Sequence, residues 1–500
     1  MKARMILALL LAAAGPVRAS GVSGKYKDYN VVLISMTNLG ANHMSLYGYS
    51  RKTTPKLDEW ARDAVVFDNA FAHASWTLPA STSLMSSMYP YSHRVWRRDR
   101  NNSLPKSVET LPEVLVDHGY VTAAFTGALD YSKHFSQLRG FQFKSDNPDF
   151  SGFPLTLKQA SEWLAQYSDR KFMLLIQGYD LHCPFHPVPP YKGTFADEKL
   201  KSPSLDPALC VRGYKNETGA YRAFYSGGCP YFRKKEVCLR QGEEVTLTQG
   251  DIDYLAGLYD DKVLEVDALV SGFLASLAPK VRDRTIIVVM SDHGEMFAKH
   301  GRFGRAGTRR GTHYDDVLHI PLMIRFPGEK PARIDGLVQT IDIMPTILDA
   351  LGVPLPKTAQ GKSMAPLLEG KAAINDYVYS GMPYNTMLKQ RITAMDKKLF
   401  EHMNIDETVR DRHWKLMREQ LIDPESPEAP AQSRLELYDV AADPEELRDV
   451  SAAHPEIVAD LKAKLQAWSR RAMAAYPGGD NTEEIPADIV RRARERGYWQ

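Results

Sequence analysis

The chain has 500 residues, of which 44% are hydrophobic and 25% charged, the make-up of an ordinary folded globular protein. Its 63 basic and 61 acidic residues leave a formal net charge of +2, so no bulk field points to nucleic acid or to a membrane surface. A neutral or locally recognised partner is the expectation.

In chain order, Lys2 and Arg4 precede the apolar run Met5 to Ala14, Gly15-Pro16 breaks it, and Val17-Arg18-Ala19 supplies small residues for cleavage. That layout predicts a secretory signal over residues 1–19. About ten apolar residues are too few to span roughly 30 Å of hydrocarbon. No later stretch is long and apolar enough to do so. The mature protein is expected to be exported, periplasmic or extracellular, with no transmembrane segment.

Short apolar runs bounded by polar turns follow at Val31 to Ser35, Val121 to Phe125, Phe172 to Ile176, Thr285 to Met290 and Pro321 to Arg325. They read as buried strands. Amphipathic helical patterns lie between them, at Val108 to Asp117, Leu157 to Tyr167 and Asp251 to Leu277. This alternation predicts an α/β fold whose large, mostly parallel sheet is sandwiched by helices. Ligands then gather beyond the carboxyl ends of the strands.

The four cysteines, Cys183, Cys210, Cys229 and Cys238, are an even number. In an exported chain they predict two disulfides, with three connectivities open. Without a CxxC pair they do not read as a zinc cluster.

The strand tips read Thr37-Asn38, Gln177 to Cys183, and Ser291-Asp292-His293-Gly294. The last places a carboxylate and an imidazole at the end of a buried strand, which suits a metal or anion site better than a core. A helix-capping aspartate is the bland alternative. His43, near the first tip, reads as a structural histidine.

With these motifs in view, the chain resembles the sulfatases of the alkaline phosphatase superfamily, from about Tyr29 to Trp468. The resemblance runs through "SLYGYSRKTTPKLDEWARDAVVFDNAFAHASWTLPASTSLMSSMYP", "YDLHCPFHP", "SDHGEMFAKHG", "GTHYDDVLHIPLMIRFPG" and "LELYDVAADPEELRDVSAAHPEIVADLKAKLQAW". It implies a sulfatase-like α/β domain over 25–372, with a cysteine-containing insertion at about 186–245. A smaller C-terminal α+β domain with an antiparallel sheet over 373–475 and a tail over 476–500 complete the expected layout.

The resemblance also implies a divalent cation, calcium in the family's pattern, with zinc or no ion as the alternatives here. The metal positions fall on Thr37, Asn38, Asp292 and His293. The formylglycine position of C/S-x-P-x-R falls on Thr77, and its arginine on Ser81. His182 and Arg310 match residues that grip the substrate's anion, and His313 stands beside them. The expected catalytic set is therefore Thr77, His182 and Arg310, and the substrate-binding set Ser81, His182, Arg310 and His313. The implied ligand is a sulfated or phosphorylated small molecule or glycan. Thr77 cannot become formylglycine, and Thr37 and Asn38 carry no charge. The chain therefore reads either as a hydrolase of sulfate or phosphate esters that uses Thr77, or as an inactive relative. The latter would bind an anionic glycan or a protein partner through the same cleft.

Overall fold

A computed structural model describes residues 21–95, 103–127, 129–131, 137–146, 151–215, 221–225, 243–304, 313–381, 404–421 and 432–478. The expected signal, Cys229, Cys238, Arg310 and most of the tail lie outside the described residues.

The apolar runs become strands β1 (Asn30–Met36), β3 (Val121–Thr126), β5 (Phe172–Gly178), β9 (Thr285–Met290) and β12 (Leu322–Arg325). They join β2 (Val65–Phe71), β4 (Phe143–Asp146), β11 (His319–Ile320) and β13 (Ala332–Gln339) in a nine-stranded sheet. Its order is β11-β2-β12-β9-β1-β5-β3-β4, with β13 against β2. β1 lies parallel to both β5 and β9 at the centre, where all seven of its residues are buried. Burial on both faces explains why its sequence is a run and not an alternation. β12 departs from the parallel set and runs antiparallel to β9 and β2.

Two apolar clusters cover the two faces of the sheet. On one, Val31, Leu33, Met173, Leu175 and Val288 meet Leu84, Met85 and Met344 from the helices Thr77–Ser86 and Ile343–Leu351. On the other, Val32, Ile34, Leu174 and Val289 meet Trp163, Leu255, Tyr259 and Val266 from Phe153–Tyr167 and the long helix Gln249–Ser276. That long helix starts at a capping box, in which Thr248 and Asp251 satisfy each other's backbone N–H.

A small antiparallel sheet, β10-β6-β7-β8, forms from β6 (Val211–Lys215), β7 (Tyr221–Tyr225) and β8 (Glu244–Leu247), with β10 (Arg302–Phe303) joining from later in the chain. Cys183 and Cys210 are bonded, joining the loop after β5 to the residue just before β6. Replacing both by serine removes a crosslink over a separation of 27 residues. The loss of stability expected from loop entropy is about 3–4 kcal/mol. Calorimetry reads it as a lower Tm, and a double variant that melts like the wild type contradicts it.

A separate four-stranded antiparallel sheet follows in order β14-β15-β16-β17, from β14 (Val378–Gly381), β15 (Asn404–Arg410), β16 (Trp414–Leu421) and β17 (Gln432–Asp439). The helix Pro455–Ala474 covers it with Leu461, Leu465 and Trp468 against Val409, Leu416 and Leu437. Among the described residues, no helix is long and apolar enough to cross a membrane.

Candidate active site

Parallel pairing fixes which tips become neighbours. Ser35 stands beside Met290 and Gln177 in register, so the residues after β1 emerge between those after β9 and the end of β5. The consequence is a lattice of hydrogen bonds across the three tips. The Asn38 backbone N–H donates to Asp292 Oδ1 at 3.1 Å and the Leu39 N–H to Ser291 Oγ at 2.9 Å. Gln177 Nε2 donates to Thr37 Oγ1 at 2.8 Å.

Asn38 takes a left-handed backbone, φ 77°, which asparagine tolerates better than most residues. Its side-chain amide donates to Leu181 O at 2.7 Å and to Glu295 Oε2 at 3.0 Å. Glu295 also accepts from the Met296 N–H at 3.1 Å. The position expected to bring charge to a cation thus presents hydrogen-bond donors to a buried carboxylate instead. Thr37, at 0% exposure, holds its hydroxyl against Gln177.

Thr77 opens the helix Thr77–Ser86, preceded by Trp76 in extended backbone. Its Oγ1 lies 3.2 Å from His293 Nε2, and His293 Nε2 lies 3.5 Å from Asp292 Oδ2. The other ring nitrogen, Nδ1, is 3.0 Å from Gly294 O. A carbonyl only accepts, so Nδ1 carries the hydrogen, and Nε2 is the ring atom turned toward Thr77 and Asp292. Gly294 itself is gripped by the chain: its N–H donates to Val317 O at 2.7 Å, and a Cβ there would stand 2.2 Å from Asp316 O. No side chain larger than hydrogen fits that approach.

The remaining expected residues divide. His182 is 6% exposed, stacks on Tyr179 at 4.5 Å, and has Nδ1 2.8 Å from Cys183 O. With Glu295, Phe185, Leu209, Val211 and Phe303 it lines a small pocket. Ser81 Oγ is turned into its own helix, donating to Leu78 O at 3.1 Å. His313 is buried at the start of the segment that grips Gly294. Arg310 lies outside the described residues. The structure therefore brings together Thr77, Asp292, His293 and Asn38, and seats His182 with Glu295 along one pocket.

Glu295 and Tyr131 belong to the neighbourhood although the sequence does not single them out. Burial and the field of Asp292 both push the Tyr131 phenol up, so it stays protonated. His43 is structural: its Nδ1 is 2.8 Å from Asp260, which also takes Tyr49 OH at 2.6 Å and Arg51 at 2.7 Å. Two further histidines flank the Thr77 helix, and burial lowers His73 to about 4 and His93 to about 3. Both are neutral at pH 7.

The donor set can be tested against a cation. Calcium takes 6–8 oxygen ligands with several carboxylates among them. Here the convergent donors are a carboxylate oxygen, an imidazole nitrogen and a hydroxyl, so calcium does not fit. Donors around a four-coordinate zinc-class ion stand about 3.4 Å apart, close to the 3.2 and 3.5 Å between these atoms. That class does fit. The group formed by His182, Cys183 and Cys210 is no competitor, because both sulfurs are spent in the disulfide.

The family model described as Sulfatase matches residues 29–353, and the one described as N-sulphoglucosamine sulphohydrolase, C-terminal, matches 308–471. Arylsulfatase K of Rattus norvegicus is 23% identical, over 98% of this chain and 85% of that protein. Delta 4,5-hexuronate-2-O-sulfatase of Bacteroides thetaiotaomicron is 25% identical, over 70% and 74%. Among solved structures, the phosphonate monoester hydrolase of Silicibacter pomeroyi superposes with a TM-score of 0.67 at 20% identity, over 89% of this chain and 96% of that one. At that identity the last likeness speaks for the fold alone.

Proposed function

We infer from the chain's membership of the sulfatase family, to which it belongs, that it is an exported ester hydrolase that uses the Thr77 hydroxyl where its relatives use formylglycine. Sulfatases act on sulfate esters with a divalent metal. The observation that carries the reading is that Thr77 Oγ1 and Asp292 Oδ2 both lie close to His293 Nε2, at 3.2 and 3.5 Å. An imidazole nitrogen and a carboxylate oxygen face each other at 3.5 Å, an arrangement that a cation between them satisfies. Asp292, His293 and Thr77 would hold a zinc-class ion. When bound, such an ion eases deprotonation of an adjacent hydroxyl and draws charge from the reacting anion.

The chain's own residues do the rest. Gly294 O fixes the His293 ring, and two backbone N–H groups, from Asn38 and His293, fix Asp292 Oδ1. Thr77 Oγ1 is the attacking atom. Its new bond forms as the ester oxygen leaves, and the proton lost by Thr77 balances the one the departing alcohol takes up. The covalent threonine ester is then opened when water displaces Thr77 Oγ1. Formylglycine hydrate can expel its sulfate without attack by water at sulfur, and threonine has no second hydroxyl on the carbon that would do this. The exchange therefore favours phosphate esters, whose threonine adduct is opened by displacement at phosphorus.

Export is supported by the N-terminal layout and by the Cys183–Cys210 disulfide, which belongs to oxidising compartments. One observation favours the inactive reading, a binder of an anionic glycan or protein: Asn38 delivers donors and not charge. Metal analysis of the purified protein, followed by assays with aryl phosphate and aryl sulfate under added zinc, manganese or calcium, separates the two. The hydrolase reading expects zinc-class metal and turnover of the phosphate ester. Absence of turnover with every ion leaves the binder.

A further inference from the structure

The segment Tyr314–Val317 stands between the site and the C-terminal sheet and is tied to both. On the site side, Val317 O accepts the Gly294 N–H at 2.7 Å, and Gly294 O in turn sets the His293 ring at 3.0 Å. Asn42 Nδ2 donates to Asp316 Oδ1 at 2.5 Å and Lys299 Nζ to the same oxygen at 3.1 Å. On the other side, Tyr314 OH donates to Glu436 Oε2 at 3.0 Å. Lys415, 1% exposed, donates to Asp315 Oδ1 at 2.8 Å and meets Glu446 at 2.5 Å. Glu446 Oε2 accepts the Asp315 N–H at 2.7 Å, and Arg410 completes the group at Asp315.

A buried ammonium between two carboxylates contributes little net stability compared with apolar packing, but it fixes one arrangement against alternatives. Burial would raise the Asp315 carboxyl, yet Arg410 and Lys415 outweigh it and hold it well below the usual range. The join is also sealed by packing. Met296 of the site loop, Tyr314 and Val317 form one apolar cluster with Met417 and Tyr438 of the C-terminal sheet and Val440 just after it.

We propose that Lys415 is a positioning residue for the active site: through Asp315 it holds the Tyr314–Val317 strip against Gly294, and so sets the orientation of His293. The C-terminal sheet is then a working part of a site whose chemistry lies 100 or more residues earlier in the chain. The role rests on the reading of Thr77 and His293 as a reactive pair, so its test carries a readout that does not depend on turnover.

Protein labelled with ¹⁵N-histidine gives that readout, with the His293 ring signal assigned by its loss in His293→Asn. In Lys415→Met the His293 signal is expected to move. The kcat for an aryl phosphate should fall about 10- to 100-fold while KM changes less than about threefold, because geometry at the reacting atoms is lost and binding is not. Lys415→Arg, which keeps the charge, should recover most of the loss. A milder variant, Tyr314→Phe, keeps the packing and removes only the hydroxyl bonded to Glu436; it should shift the same signal in the same direction and stays informative if Lys415→Met does not fold. The proposal is overturned if folded Lys415→Met, or Tyr314→Phe in its place, shows the wild-type His293 signal. A wild type that turns over no ester sinks the hydrolase reading, and the His293 signal still decides the positioning role.

Discussion

Thr77→Ala is expected to lower kcat/KM for an aryl phosphate by at least about 10³-fold, a loss of roughly 4 kcal/mol of transition-state stabilisation. The substitution removes the attacking atom and one of three convergent donors at once. Its structural cost is small by comparison. Thr77 is 3% exposed, and its described side-chain bond is the one to His293 at 3.2 Å. Losing one such bond costs about 1 kcal/mol of stability. Thr77→Ser keeps the hydroxyl at the same helix position and is expected to retain activity within about tenfold. Steady-state kinetics with a melting curve for each variant checks both halves. A Thr77→Ala protein that works at the wild-type rate would place the nucleophile elsewhere.

The second large effect falls on Asn38. Its amide donates to Leu181 O and to Glu295, and its backbone N–H to Asp292. Asn38→Asp keeps size and tolerance of the left-handed backbone but exchanges a donor for an acceptor. Leu181 O loses its partner, and a new carboxylate faces Glu295 and Asp292 in a site buried from water. Lost donors and unpaired buried charge together are expected to cost about 3–5 kcal/mol in metal-free buffer. The same change restores a negative oxygen where sulfatases keep one, so a divalent cation should repair the damage. At a concentration 100 times its Kd a bound ion returns about 2.7 kcal/mol. The Tm of Asn38→Asp should therefore climb with calcium, while the wild-type Tm stays flat. A variant that melts like the wild type with and without calcium contradicts this view of the site.

Much of the architecture is legible in the sequence. The runs at Val31, Val121, Phe172 and Thr285 mark strands because a central parallel sheet is buried on both faces. The antiparallel direction of Leu322–Arg325 was not legible, since periodicity carries no sense of direction and pairing is set by tertiary neighbours. In the site, Asp292 and His293 draw notice because they follow a buried strand, and Thr77 because the family resemblance puts the formylglycine position there. Glu295 escapes, as its importance lies in the amide it meets across β1 and not in its own surroundings. Tyr131 escapes as well, since its ties are to Ser35 and Asp292 from elsewhere in the chain. The Cys183–Cys210 bond was one outcome among three connectivities, decided by the start of β6 lying against the loop after β5.

The most direct test is covalent. Protein mixed with a ³²P-labelled aryl phosphate, quenched in acid and digested, should yield one labelled peptide containing Thr77, and Thr77→Ala should yield none. Turnover of the phosphate ester with no label on Thr77, or with label on another residue, would contradict the assignment of Thr77 as the nucleophile.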